Sequence, residues 1–410
     1  MNQGMLTVDE ALAQLLAGAQ PVVEFEAIDT LHATGRVLAR PQNSDLNVPP
    51  LDNTSMDGYA VRAAECASGE ARFPVSQRIP AGSIPAQLAI ATAARIFTGA
   101  PTPPGADAVV MQEMCAVEGD QVVIRHQPKA GDWIRRVGED IRAGSRILEA
   151  GVRLRPQDAG LAASVGIAKL PVFRRLKVAV FFTGDELVMP GEPLPEGAIY
   201  NSNRFTITGM LQQFGCEISD FGIVPDSLAS TRDTLRRAAA EHDLVITSGG
   251  VSVGEEDHVK PAVEAEGRLQ MWKIAIKPGK PLAFGRIGPE AQPGRPGSAA
   301  FIGLPGNPAS VFVTLAILVR PFILRMQGVT RIEPIACSMR ADFDWEKPDV
   351  RREFLRVKLN AAGGLDLFAN QGSGVLASAA WADGLADNPP KQAIRRGDRV
   401  RFLPFAELLH

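Results

Sequence analysis

Apolar positions along this chain change period from one region to the next. Ala11, Leu12, Leu15 and Leu16 recur at helical spacing behind Thr7-Val8-Asp9-Glu10, which reads as a capping box, and Gly18 supplies a stop. From about Pro41 to Ala130 the pattern shortens to brief alternating stretches cut by Pro and Gly. Arg95-Ile96-Phe97, Ala108-Val109-Val110-Met111 and Gln121-Val122-Val123-Ile124-Arg125 are examples, and they predict a β-rich region with many turns. A third texture begins near Leu176. Residues 176–182 predict a strand, 201–214 a helix, 217–224 a strand, 230–241 a helix with Ser230 as its cap, and 243–247 a strand. Strands alternating with helices of this length predict βαβ units around a parallel sheet, where ligands sit at the carboxyl ends of strands. Three such ends carry Gly or acidic residues: Thr183-Gly184-Asp185-Glu186, Pro225-Asp226 and Ser248-Gly249-Gly250. Further on, 289–297 predicts a surface loop and 301–304 a buried strand ending in Pro305-Gly306-Asn307-Pro308. A strongly apolar helix then runs to about Met326. The remainder returns to short strands; Arg399-Val400-Arg401-Phe402-Leu403 alternates behind Arg396-Gly397-Asp398, a hairpin signature.

Composition narrows this reading. A length of 410 residues allows several domains. Hydrophobic residues at 45% and charged residues at 22% exclude a mainly disordered chain. Lys+Arg 43 against Asp+Glu 46 leaves a net charge of −3, which gives no global field for nucleic acid or an anionic membrane. Cys66, Cys115, Cys216 and Cys337 are widely separated, so no CxxC motif exists and reduced thiols are expected. The N-terminus has no basic start and no apolar h-region, so a cytoplasmic protein is expected. The apolar run 311–319 falls well short of the ~20 residues that span a bilayer and predicts a buried helix.

Four stretches carry candidate chemistry. Thr247-Ser248-Gly249-Gly250-Val251-Ser252-Val253-Gly254 follows a strand and is rich in Gly and hydroxyls. It reads either as a tight strand-to-helix turn or as a cradle whose main-chain N–H groups meet a phosphate. It matches neither GxxxxGK[ST] nor GxGxxG. Glu255, Glu256 and Asp257 follow directly, either a solvated acidic helix start or a Mg²⁺ bridge to that phosphate. Leu304-Pro305-Gly306-Asn307-Pro308 forms a rigid turn, with Pro308 as first helical residue and a helix N-terminus behind it. Lys273 and Lys277 share one face if 272–277 is a single strand, and Lys280 follows. Such a face is either simply exposed or holds an anion that relieves the repulsion. Finally, 49–60 is a polar loop containing Met56 and Tyr59, and loops of this kind often carry function. The five histidines have no metal-ligand spacing, and no GxSxG elbow or Cys–His pairing occurs, so no covalent nucleophile is expected.

Together the stretches Asp52-Asn53-Thr54-Ser55-Met56-Asp57-Gly58-Tyr59-Ala60, Phe97-Thr98-Gly99-Ala100-Pro101, Gly138-Glu139-Asp140-Ile141, Thr183-Gly184-Asp185-Glu186-Leu187, Thr247 to Ser252 and Leu304 to Pro308 resemble the molybdenum insertase family, the MoeA proteins and the gephyrin E domain. The resemblance covers nearly the whole chain. It implies a multidomain α/β plus β fold: a linking domain (1–45 with 141–174), an inserted β-rich domain (46–140), a parallel-sheet molybdopterin-binding domain shared with the MogA/MoaB proteins (175–327) and a C-terminal β-barrel (328–410). It implies a homodimer with a site between the α/β domain of one subunit and the β-rich domain of the other. The implied reaction is Mg²⁺-dependent cleavage of adenylylated molybdopterin, releasing AMP, with insertion of molybdate into the dithiolene. An adenylyltransferase and cofactor acceptor proteins are implied partners. A molybdopterin adenylyltransferase and a gephyrin-like scaffold are the alternatives.

Carried onto this chain, the resemblance gives catalytic roles to Asp57, Thr98, Asp140, Glu186, Asp226 and Asp257, with Asp226 and Asp257 as Mg²⁺ ligands. Thr183, Gly184, Ser248, Gly249, Gly250, Ser252, Lys273, Lys277, Lys280, Pro305, Gly306 and Pro308 would bind substrate. Arg352 and Ser373 complete the set, with Ser378 as a rival to Ser373. The chain has Thr54-Ser55 where many relatives have Ser-Ala.

Overall fold

The computed structural model describes residues 5–250, 258–288 and 298–409. At its centre lies a six-stranded sheet in the order Glu217–Val224, Lys177–Thr183, Leu244–Ser248, Ala299–Leu304, Pro281–Ile287, Gly267–Lys273. The first four strands are parallel and the last two are added antiparallel. The parallel strands are nearly continuous in apolar residues because both faces are covered. Val178, Val180 and Phe182 enter a core with the helices Ser202–Gln213 and Pro308–Thr314, while Ala179 and Phe181 enter a second core with Leu228–Glu241 and Val259–Glu266. In register, Phe182 pairs with Ser248 and Ser248 with Leu304, so three strands end level and release their loops at one rim.

Side-chain caps set several helix starts, among them Thr7, which accepts from Glu10 N in a capping box at the head of Val8–Gly18. Asn201 accepts from Arg204 N at the head of Ser202–Gln213. Ser227, not Ser230, caps Leu228–Glu241, so that helix begins two residues earlier than the apolar pattern suggests. The apolar helix from Pro308 to Met326 is 89% buried, as a core helix is. Its middle widens into π turns at Leu315–Val319, just before Pro321, whose ring removes a donor from the ladder. The N-terminal helix Val8–Gly18, grouped with the linking region on sequence grounds, inserts Val8, Ala11 and Leu15 into the α/β core.

The β-rich region forms its own six-stranded sheet, in the order Ala108–Met111, Gly58–Val61, Ala93–Ile96, Ala71–Ile79, Gln121–Ile124, Cys115–Glu118. Near the C-terminus, Arg352–Leu359 pairs with both Gly364–Leu367 and Gly384–Asn388, which closes a barrel with Cys337–Ala341 and Arg399–Pro404. The chain itself ties barrel to sheet. After Gly267–Lys273 it leaves the central sheet, and Ile276–Lys277 pairs in parallel with Arg352 and Glu353. The expectation that Lys273 and Lys277 share a strand face therefore fails. The backbone passes from one sheet to another between them, and their side chains belong to different surfaces.

Phe301 is fully buried between the sheet and its helices. Phe301→Ala should cost about 3–5 kcal/mol, read as a lower urea midpoint; a loss below about 1 kcal/mol would contradict tight packing on that face.

Candidate functional site

The level strand ends open onto a cleft of 680 Å³. Its wall comes from three sources. The sheet rim gives Thr183, Glu186, Ser248, Gly249, Gly250 and the turn from Pro305 to Pro308. The helix start gives Asn201, Ser202 and Asn203, and the barrel side gives Lys277, Lys280, Arg351, Gln371 and Ser373.

Glycine is required at the rim for steric reasons. Gly249 has φ +94, and a Cβ there would lie 2.7 Å from the Thr183 carbonyl oxygen. Gly184, at φ +144, leaves room for the Glu186 carboxylate, which a Cβ would meet at 2.5 Å. Among the described residues Glu186 is the one carboxylate in the cleft wall, and no group of three His, Cys, Asp or Glu side chains could hold a metal ion there or elsewhere.

Asn203 ties two loops together. Its Nδ2 donates to Ser248 Oγ at 2.9 Å and to the Gly306 carbonyl at 2.7 Å, and Ser248 Oγ donates to the Pro305 carbonyl at 2.9 Å. The Ser248 hydroxyl, 2% exposed, is thereby committed to holding the rim. A second tie reaches from the barrel. The Ser373 carbonyl accepts from Ala309 N at 3.0 Å and Ser310 N at 3.3 Å, while Asn307 Nδ2 donates to Ser373 Oγ at 3.1 Å.

The cationic side of the cleft is largely compensated. Lys277 Nζ lies 3.0 Å from Glu353 and 3.4 Å from Asp349, and Arg351 lies 2.8 Å from Asp349. The Arg351 hydrogen bonds hold the Asp349 carboxyl far below the usual carboxylate range. Lys280 is exposed and forms no ion pair among the described residues.

Of the residues singled out from sequence, Thr183, Glu186, Ser248, Gly249, Gly250, Lys277, Lys280, Pro305, Gly306, Pro308 and Ser373 line this cleft. Gly184 lies in the bend between Thr183 and Glu186. Ser252 and Asp257 lie outside the described residues. Asp226 is half-buried after Glu217–Val224 and does not line the cleft. Lys273 is exposed and also outside it. Ser378 is fully buried and donates to the Val375 carbonyl, so it is Ser373 that faces the cleft.

Arg352 points elsewhere as well. Its guanidinium chelates Asp387 at 2.7 Å and meets Asp9 of the N-terminal helix at 2.9 Å. Arg351, its neighbour, is the arginine in the wall, because adjacent side chains at a strand start face opposite ways. Asn201, Asn203, Asn307, Arg351 and Gln371 were not singled out. The stretch 201–203 read only as a helix cap, and nothing in sequence places Gln371 beside a strand end more than 60 residues away.

Asp57, Thr98 and Asp140 do not line the cleft of their own chain. Asp57 Oδ1 accepts from Thr98 N and Thr98 Oγ, both at 2.7 Å. Those bonds hold its carboxyl below the ordinary value, with a smaller contribution from Arg95. Asp140 is exposed, and its N–H donates to the Val48 carbonyl.

Fold and cleft define a multidomain α/β protein with its site at the carboxyl ends of a parallel sheet and a β-barrel as one wall. Family models match along the chain in order: MoeA N-terminal region (domain I and II) at residues 6–166, probable molybdopterin binding domain at 179–325, and MoeA C-terminal region (domain IV) at 338–405. A molybdopterin molybdenumtransferase of Haemophilus influenzae is 42% identical over 325 residues, covering 79% of this chain and 78% of that protein. One from Nostoc is 37% identical over 377 residues, covering 89% and 85%. A crystal structure of the molybdopterin biosynthesis moeA protein from Pyrococcus horikoshii superposes with a TM-score of 0.83 at 28% identity, covering 98% of this chain and 100% of that one. The chain belongs to the molybdopterin molybdenumtransferase family, transferases of molybdenum cofactor biosynthesis.

Arg352→Ala should act on stability rather than on the cleft. It leaves Asp387, 3% exposed, with Arg401 alone. A loss of about 2 kcal/mol is expected, below the 3–5 kcal/mol of a wholly orphaned buried charge, with oxyanion binding to the cleft unchanged in calorimetry. A stable variant that has lost anion binding would return Arg352 to the site.

Proposed function

We propose that the cleft takes adenylylated molybdopterin together with molybdate, and that the enzyme cleaves the adenylate, releases AMP and places the metal in the dithiolene. The observation that carries this is the rim itself. Gly249 and Gly250 bring bare backbone to the strand ends opposite Lys280, the arrangement a phosphorylated ligand needs. Phosphoanhydride cleavage depends on positioning and on stabilising phosphoryl oxygens, so a site without a covalent nucleophile is suited to it.

Mg²⁺ fits the donor set. This ion ordinarily binds through one or two carboxylates plus substrate phosphates and water, and Glu186 supplies a carboxylate in the wall. Bound there, it would neutralise charge on the phosphoryl oxygens. Asp257 keeps its place in the proposal as a further ligand, whereas Asp226, which does not line the cleft, would reach such an ion only through water or substrate. Ser248 holds the rim, and Lys280 offers charge to the oxyanion.

Asp57, Thr98 and Asp140 act, in this reading, on the cleft of a second copy in a cytoplasmic homodimer. Thr98 fixes Asp57 through Oδ1 and leaves Oδ2 to receive a proton or a hydrated ion. The absence of these three residues from their own chain's cleft supports such a composite site.

The test is incubation with adenylylated molybdopterin, Mg²⁺ and molybdate, with AMP and finished cofactor quantified. Asp57→Ala should lower AMP release on the order of 100-fold or more while stability moves within about 0.5 kcal/mol. Mixed with Lys280→Ala chains, Asp57→Ala chains should regain about a quarter of wild-type rate, because half of the dimers then hold one intact site. Normal turnover by Asp57→Ala, or a fully active monomer in sedimentation, would refute the composite site.

A further inference from the structure

Two arginines of the β-rich region meet acids: Arg62 pairs with Glu65 and Arg72 with Glu118. Arg78 and Arg95 differ, since neither forms an ion pair among the described residues. They are nonetheless direct neighbours. Ala71–Ile79 runs parallel to Ala93–Ile96, and Arg78 is in register with Arg95. Like charges set opposite one another on adjacent strands destabilise a sheet.

That pairing depends on an irregularity. Val75 faces Ala93, so an unbroken ladder would set the neutral Gln77 against Arg95. The register instead shifts between Val75 and Gln77, and Arg78 arrives there. Shifts of this kind re-aim a side chain. Phe97 braces both cations: Arg78 Cζ lies 4.5 Å and Arg95 Cζ 4.7 Å from its ring centroid, and Arg95 is also 5.2 Å from that of Tyr59. Arg95 is fixed further, Nη1 donating to the Gly58 carbonyl at 3.2 Å and Nη2 to Gln112 Oε1 at 2.7 Å. An aromatic ring attracts cations but carries no net charge, so the repulsion between the two guanidiniums stays.

The pair stands at the edge of this region's core. Tyr59, Ala93 and Val110 close that core on one face of the sheet, and Arg95 and Phe97 continue the same face beyond it. Arg78 is exposed, while Arg95 and Phe97 are half-buried. Next along the chain, Thr98 holds Asp57, and Arg95 is near enough to help lower that carboxyl. Asp57 therefore offsets part of one charge, and Arg78 keeps its own. Two guanidiniums held side by side suit the oxygens of a phosphate, which arginine meets with paired hydrogen bonds.

We propose that Arg78 and Arg95, braced on Phe97, form a site on the β-rich domain for the phosphate of a nucleoside monophosphate, which in the proposed reaction is the released AMP. A phosphate between the guanidiniums relieves their repulsion. The ligand's identity rests on the proposed reading of the reaction, and the site rests on the strand register.

Wild type, Arg78→Gln, Arg95→Gln and Arg78→Lys are titrated calorimetrically with AMP, adenosine and molybdate at low ionic strength, and melting temperatures are recorded with and without AMP. Each glutamine variant should weaken AMP binding about tenfold, the loss of one charged hydrogen-bonding partner. Arg78→Lys keeps the charge without the fork and should lose less than Arg78→Gln. Without ligand, Arg78→Gln should melt no lower than wild type, because it removes a like-charge neighbour. The rise in melting temperature that AMP gives wild type should shrink in it. Should Arg95→Gln not fold, the Arg78 variants decide alone. Equal AMP affinity in all the chains, a loss confined to molybdate, or wild type that binds AMP no better than adenosine would overturn the site. AMP release from adenylylated molybdopterin judges the reaction separately. Release by wild type, with AMP affinity unaltered in the variants, removes the site and leaves the reaction standing. AMP affinity that depends on Arg78, with no release by wild type, keeps the nucleotide site and removes the reaction.

Discussion

Three parallel strands ending at one level are the constraint on which the rest of this molecule depends. Phe182, Ser248 and Leu304 are aligned in register, so the loops behind them emerge side by side. A one-residue slip of any of them would exchange its two buried faces, and both faces are packed, so register is strongly fixed. The rim then needs little further support. Glycines give it room, and Asn203, Ser248 and Pro305 hold the loops at a fixed spacing.

Against that rigid rim the barrel supplies the opposite wall, and it does so electrostatically as well as sterically. The strand Ile276–Lys277 crosses to the barrel and brings Lys277 beside Glu353, whose carboxylate also accepts from Trp345 and the Asp349 backbone. Glu353 is fully buried, so Lys277 is its counter-ion before it is anything else. Counting lysines along the sequence therefore overstates the positive charge offered to a ligand. What counts is which cation lacks an acid, and among the described residues of the wall that is Lys280 at the surface.

Much of the fold was legible because its signals are local. The alternation of apolar strands with capped helices from 176 to 326, the β-rich texture of 41–130 and the strand at 399–404 are all present as elements, but that strand pairs with Gly384–Asn388 and Cys337–Ala341 across long connections, not across a tight turn at 396–398. Gly249 and Gly250 were readable for the same reason, since a strand followed by consecutive glycines has few other uses. Errors arose where a side chain's meaning depends on a distant partner. Lys273 and Lys277 fit one strand by spacing, yet the chain changes sheets between them. Arg351 and Arg352 are indistinguishable as letters; Asp349, Asp387 and Asp9 decide which one faces the cleft. Asn203 looked like part of a helix start, and only the approach of Gly306, across the sheet, makes it a tie.

The helix starting at Pro308 shows how these constraints combine. A helix N-terminus beside a cleft ordinarily offers free N–H groups to an anion. Here Ala309 N and Ser310 N already donate to the Ser373 carbonyl. The barrel loop thus occupies the donors that the helix would have shown to a ligand, and in return the helix fixes Ser373. Gln371, bonded to Arg356, fixes the same loop from its other end. A loop pinned at both ends cannot follow its ligand far, so recognition on this side must be preorganised rather than induced. The helix gives up its own anion site to make the barrel wall rigid, and the positive potential on that wall has to come from side chains instead.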